Sequence, residues 1–411
     1  DDDEYPDGGY GWVIVFGAFC AQITYFGVIS SVMQDYYQQN VFTNSDPKVV
    51  VDLSFVGSLT LVFLDGMSPF VRLAVARLGV KPVMIIGSLL ITLGLEMAGF
   101  ATQVWHLYLT QSIVFGTGAS CIYVIAMSIT PQWFKKRRGL ALGIVAAGSG
   151  MGGLVVPLIV TPINRQLGAQ WTYRVLGFIC LFCDVIACVF VKERQKRDPA
   201  AKKKKLSEIL DLSVLKNLNF LLFIIASNIA LLGYFVPFFF VPAYATYLGL
   251  SDSQGSSLIA VASALNFVGR FTAGCIGDYI GPINADIIFT LLASISGFLI
   301  WTFAKTYSSL VGFMVVFGFA CGSFFPLMSP ITASILGMER FPSGIALVIG
   351  TNMFAMFGTN IASAIETSPL IASTSPPFFS YKIFTGVTYL VATIALLWLK
   401  LRVNRNPCSK L

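Results

Sequence analysis

Twelve apolar runs, each long enough to cross roughly 30 Å of hydrocarbon as a helix, leave this chain little choice but a polytopic membrane fold. They lie near 10–33, 53–75, 83–101, 106–130, 139–161, 171–191, 218–242, 255–277, 283–303, 307–330, 342–365 and 380–401. In lipid every backbone amide must find its partner inside the chain, and a helix achieves that one segment at a time. Composition agrees. Of 411 residues, 56% are hydrophobic and 11% charged, whereas soluble domains carry roughly a quarter charged residues. The expected class is an all-α membrane protein with twelve transmembrane helices.

One long polar insertion, VKERQKRDPAAKKKKLSEILDLSVLKN, interrupts the series after the sixth run and carries four consecutive lysines, Lys202–Lys205. It divides the chain into a tail (1–9), a six-helix bundle (10–191), a basic linker (192–217), a second bundle (218–402) and a second tail (403–411). Arg72, Arg77, Lys81, Lys135, Lys136, Arg137, Arg138, the linker, Arg340, Lys400, Arg402 and Arg405 fall on one set of loops. The alternate loops hold only Lys48, Arg165, Arg174, Lys305 and Lys382. Basic residues accumulate on the cytosolic side, so both termini and the linker are expected there. The net charge of +7 is therefore a topology signal and not a nucleic-acid footprint. The partners it implies are a lipid bilayer and a small-molecule substrate, in a multi-pass protein of the plasma membrane. An accessory subunit is not legible.

Other chemistries have little to work with. The eight cysteines (Cys20, Cys121, Cys180, Cys183, Cys188, Cys275, Cys321 and Cys408) lie almost entirely in apolar runs, which predicts free thiols. The single histidine, His106, stands at a helix start. No metal set, cofactor or nucleophile–base pair is expected, so the chain does not read as an enzyme. GSGMGG at 148–153 lacks the strand–loop–helix setting of a phosphate loop and reads as helix packing. The opening DDDEYPD has no positive n-region, so no cleavable signal is expected.

The two halves echo each other at just over 200 residues. FGTGAS at 115–120 parallels FGFACG at 317–322, and RGLALG at 138–143 parallels SGIALVIG at 343–350. The second-to-third loop, Gly66 through Arg77, Gly79 and Lys81, corresponds to Gly274, Asp278 and Gly281. A repeat of six-helix units is the mark of alternating-access carriers, whose substrate site lies near the midplane.

One charge sits where hydrocarbon is expected. Arg270 lies about 12 Å inside the helix end marked by Asp278, counting 1.5 Å per residue. An arginine that deep faces a partner or a wet cavity, and is read as a functional site. Asn266 and Ser263 precede it at helical spacing and form one polar row. Gln22, Phe26 and Ser30 stack similarly in helix one. Helix seven, GYFVPFFFVPAYATY, supplies Tyr234, Phe235, Phe238, Phe239, Phe240, Tyr244 and Tyr247, serving either as lipid-facing rings or as a platform for a flat substrate. Its Pro237 and Pro242 predict a bend. Phe324, Phe325, Pro326 and Asn352 complete the cavity candidates. Asp65, Glu96 and Asp184 are the intramembrane acids, with Asp65 the candidate for proton coupling. Arg77, Lys135, Lys136, Arg137, Arg138, Asp278 and Arg340 are assigned to a cytosolic mouth.

Three stretches carry a family resemblance. PDGGYGWVIVFGAF at 6–19, WFKKRRGLALGIVAAGSGMGG at 133–153 and NFVGR at 266–270 resemble motifs of the monocarboxylate porters of the major facilitator superfamily, especially their fungal members. The resemblance implies two pseudo-symmetric six-helix bundles and carrier-type transport. It also exposes two departures. Proton-coupled members have an aspartate where Asn266 stands and a substrate-engaging lysine where alignment on GAF places Ser30. Arg270 alone remains of that charged set. The resemblance thus implies transport of a monocarboxylate-like anion without the usual proton site. The alternatives are a flat neutral vitamin such as riboflavin, or a nutrient receptor that signals without transport.

Overall fold

The computed structural model describes residues 7–28, 47–194, 209–369, 373 and 375–404. Ser30, Lys202–Lys205 and Cys408 lie outside the described residues, as does the side chain of Phe26.

Every regular element among the described residues is helical. The first six are α1 (Tyr10–Val28), α2 (Pro47–Gly66 and Ser68–Leu78, bent by 43°), α3 (Val80–Ala98), α4 (Val104–Gln132), α5 (Arg138–Asn164) and α6 (Gln166–Phe190). The second six begin with α7 (Leu218–Tyr247), α8 (Asp252–Ile280) and α9 (Pro282–Trp301). They continue with α10 (Tyr307–Cys321, resuming over 324–336), α11 (338–352, continuing to Glu366) and α12 (Phe379–Val403).

Local chemistry sets many of the boundaries. Asn217 accepts the amide N–H groups of Asn219 and Phe220 at the start of α7, and Ser251 and Gln254 form a capping box on α8. Pro69 bends α2 because it cannot donate to the preceding turn. Both prolines of α7, by contrast, lie within one helix that runs unbroken from Leu218 to Tyr247.

The sequence repeat appears in the backbone. Gly79 (φ 93°) ends α2 and begins α3, and Gly281 (φ 95°) ends α8 and begins α9. In each case the glycine N–H closes the preceding helix, on Val75 O in one half and Gly277 O in the other. A side chain at that φ is strained, so glycine recurs where the repeat turns.

The chain forms two compact units. The first comprises Asp1–Lys136, Gly148–Leu212 and Pro342–Met353; the second comprises Arg137–Ala147, Ser213–Phe341 and Phe354–Leu411. The start of α5 thus belongs with the later helices, and the 342–353 part of α11 with the earlier ones. In the first unit Ser68 Oγ of α2 donates to the Ala346 carbonyl at 2.6 Å.

Three spans expected as continuous are interrupted: the second at Met67, the eleventh at Met353–Phe354, and the tenth. The tenth run, expected as continuous over 307–330, is interrupted at Gly322–Ser323. The reason lies in the packing of α8 against it.

Candidate functional site

The polar row of α8 is buried: Ser263, Asn266 and Arg270 are all shielded, Arg270 at 1% exposure. A guanidinium needs acceptors on its in-plane N–H groups and tolerates an aromatic face against its flat side. Contacts of both kinds are present within the second unit. Nη1 donates to the Ala146 carbonyl of α5 at 3.2 Å, and Nη2 donates to the Tyr234 hydroxyl of α7 at 2.9 Å. The Phe325 ring of α10 lies 4.1 Å from the guanidinium carbon. Tyr234 packs edge-on to Phe325 and tilted against Phe238, with centroids 5.4 Å apart in each case.

Asn266 serves α10. Its amide donates to Gly318 O at 3.2 Å and to Cys321 Sγ at 3.3 Å. A Cβ on Gly322 would stand 2.5 Å from Asn266 Nδ2 and 2.9 Å from Arg270 Nε. The bare backbone at 322 is what lets the asparagine and arginine lie against α10. The break also frees the Cys321 carbonyl, which accepts the Tyr389 hydroxyl of α12 at 3.0 Å. Unwound backbone persists at membrane depth only where such partners exist. The next residue, Ser323, donates to Asp286 Oδ1 of α9 at 2.9 Å. Tyr234, Thr290, Cys321, Ser323, Phe324 and Tyr389 line a small cavity beside the break.

At the end of α8 a second arrangement holds the start of α5. The Asp278 carboxylate accepts the Gly139 N–H at 2.7 Å and the Leu140 N–H at 2.8 Å, one on each oxygen. It acts as an anionic cap on unpaired donors at the positive end of a helix. The helices touch backbone to backbone, because a Cβ on Gly274 would collide with Gly139 O and the converse also holds. In the first unit Asp7 plays a similar part, receiving the backbone N–H groups of Lys135 and Lys136 at 2.8 and 2.9 Å.

The structure therefore gathers Arg270, Asn266, Tyr234 and Phe238, with Phe324 on the adjoining cavity. Gln22, Asn352 and Asp65 belong to the first unit, and all three are buried. Gln22 has no hydrogen-bond partner on either amide atom among the described residues, and Asn352 has none on its carbonyl oxygen. Arg77, Lys135, Lys136, Arg137 and Arg340 are exposed, with Arg138 and Asp278 half-buried. The helix-seven rings divide: Tyr234 and Tyr244 are buried, while Phe239 and Tyr247 are exposed.

Three participants escaped the sequence reading. The Ala146 carbonyl carries no side-chain signal. The helix-capping role of Asp278 depends on which helix crosses its own. Asp286 stands five residues past the Gly281 turn, where an acid reads as a helix-end residue, yet it is 2% exposed. Among the described residues no group of acids, histidines and cysteines has the geometry to hold a metal.

The Major Facilitator Superfamily pattern matches residues 11–285 and 224–410, and the chain belongs to that superfamily. It is an integral, multi-pass membrane transporter for a small molecule, not an enzyme. Among curated relatives, the fujikurins efflux protein of Gibberella fujikuroi is 31% identical over 404 residues, covering 96% of this chain and 84% of the relative. An MFS-type transporter of Gibberella moniliformis is 29% identical over 408 residues, covering 98% and 93%. The twelve-helix fold is shared with the proton:xylose symporter XylE bound to 6-bromo-6-deoxy-D-glucose (TM-score 0.74, 15% identity, 95% of both chains). It is likewise shared with the human organic anion transporter MFSD10 (TM-score 0.69, 13% identity, 95% of this chain and 98% of that one).

Proposed function

We propose that this transporter belongs with the monocarboxylate porters and moves a small carboxylate-bearing organic solute by alternating access, with Arg270 as the group that holds the carboxylate. The observation carrying this reading is the pairing of a buried guanidinium with two neutral oxygens, Ala146 O and Tyr234 Oη. A carboxylate is the stronger acceptor and matches the guanidinium fork with two bonds. On arrival it replaces the Ala146 carbonyl. That exchange loosens α5 from α8, which ties solute binding to movement.

The rings of Tyr234, Phe238 and Phe325 favour a solute with a planar part attached to the acid. Gln22 and Asn352 have amide atoms without partners among the described residues and are proposed as uncharged solute contacts, as are Phe26 and Ser30. Arg77, Lys135 to Arg138, Asp278 and Arg340 act at the cytosolic mouth, with both termini on that side and the protein in the plasma membrane. The efflux names of curated relatives support outward movement.

Counterflow in proteoliposomes tests the reading. The probe is labelled p-aminohippurate, a ring-bearing carboxylate too polar to cross lipid unaided. Counterflow displaced by other aryl carboxylates and untouched by riboflavin is expected. Riboflavin counterflow without p-aminohippurate counterflow would replace the carboxylate with a neutral heterocycle.

A further inference from the structure

We propose that Asp286 is a proton-binding site of the transport cycle, linked through the Gly322–Ser323 break to Arg270. The proposal rests on the reading of Arg270 as the solute-holding group, and it supplies a proton site in a chain that has Asn266 where an acid is expected.

Asp286 is buried, and its Oδ1 accepts the Ser323 hydroxyl at 2.9 Å. A carboxylate can only accept hydrogen bonds, whereas the protonated acid also donates one. The serine hydroxyl is both donor and acceptor and rotates to suit either form. Protonation of Asp286 on Oδ1 therefore reverses the hydrogen bond that ties α9 to the break in α10.

The break passes that change on. Ser323 is bonded directly to Gly322, whose bare α-carbon lies against Asn266 Nδ2 and Arg270 Nε. Two residues further on, Phe325 underlies the guanidinium. A shift of this short unwound segment moves the floor and the wall of the Arg270 site together. Intact helix would resist such a shift more strongly; here the turn is held by long backbone hydrogen bonds, Ser323 N–H to Ala320 O at 3.4 Å, Phe325 N–H to Gly322 O at 3.3 Å and Leu327 N–H to Ser323 O at 3.3 Å.

The surroundings suit proton passage. The small cavity beside Ser323 is lined also by Tyr234, Thr290, Cys321 and Tyr389, and Tyr234 is the residue that Arg270 holds. Of the titratable groups nearby, Tyr389 of α12 interacts with Asp286, while Cys321 of α10 and Tyr234 of α7 line the cavity beside Ser323, with Arg270 of α8 across the break. In each cycle one proton from the water on one side joins an Asp286 oxygen and leaves to the water on the other side. No other bond changes.

Infrared difference spectroscopy of the purified full chain in lipid tests this without any solute. A protonated carboxyl component that appears and disappears with pH is expected, one that is lost in Asp286→Asn, shifted in Ser323→Ala, and retained in Asp65→Asn and Asp184→Asn. A pH-dependent carboxyl spectrum that is the same in Asp286→Asn as in the wild type, or the lack of any such band, overturns the proposal. In proteoliposomes Asp286→Asn is expected to lose at least tenfold in p-aminohippurate accumulation driven by a pH gradient. Unaltered gradient-driven accumulation also overturns it. If the wild-type chain moves no p-aminohippurate, the carboxylate reading fails and the infrared result still decides the role of Asp286.

Discussion

The guanidinium of Arg270 lies 4.1 Å from the centre of the Phe325 ring, so the deepest charge of α8 rests on an aromatic side chain from the broken segment of α10. A desolvated cation–π contact is worth about 2 kcal/mol, or about thirtyfold in affinity. Phe325→Leu keeps the apolar volume and removes the ring. It is expected to raise the KM for p-aminohippurate at least tenfold, while Phe325→Tyr stays near wild type in the same counterflow assay.

The tyrosine partner makes a second case. Tyr234→Phe keeps the ring stack and deletes the hydroxyl that accepts from Nη2. Hydrogen bonds to charged groups contribute about 1.5–3 kcal/mol. Transport is expected to fall by at least tenfold, with unfolding still cooperative. A rate equal to wild type would show that the hydroxyl does not set the orientation of the arginine.

The α5–α8 junction is a matter of stability as well as movement. Asp278→Ala strips the cap from Gly139 and Leu140 N–H groups. Loss of a helix cap costs about 1 kcal/mol, so a lower unfolding temperature is expected, with Asp278→Asn in between. The buried free cysteines make thiol-reactive dye fluorescence on heating a direct readout.

Crossing distance gives a sharper contrast. Gly274→Ala places a methyl group into the Gly139 carbonyl and is expected to destabilise the protein and block transport. Gly312→Ala meets nothing within 4 Å and is expected to be neutral or slightly stabilising, since alanine is the better helix former. Equal behaviour of the two variants would mean that close approach at the junction is unimportant.

Much of this architecture is written in local patterns. Apolar length gives the helices, and the paired glycines 79 and 281 mark the repeat because the backbone needs the same positive φ at both turns. Arg270 and Asn266 stand out because polarity within a span is costly and needs a reason. What stays hidden depends on neighbours distant in sequence. Ala146 contributes only a carbonyl, Asp278 caps a helix 139 positions earlier, and the bareness of Gly322 matters only because α8 presses against it. Asp286 shows the same limit: its burial comes from α10 and α12, not from its own segment.

The central claim is that the positive charge of Arg270 holds the solute. Arg270→Gln keeps a hydrogen-bonding side chain of related shape and removes the charge, and Arg270→Lys keeps the charge without the two-pronged fork. In proteoliposomes, with cooperative unfolding confirmed for each variant, p-aminohippurate counterflow is expected to drop to the protein-free background in Arg270→Gln and to persist weakly in Arg270→Lys. Counterflow at the wild-type rate in Arg270→Gln would contradict the account.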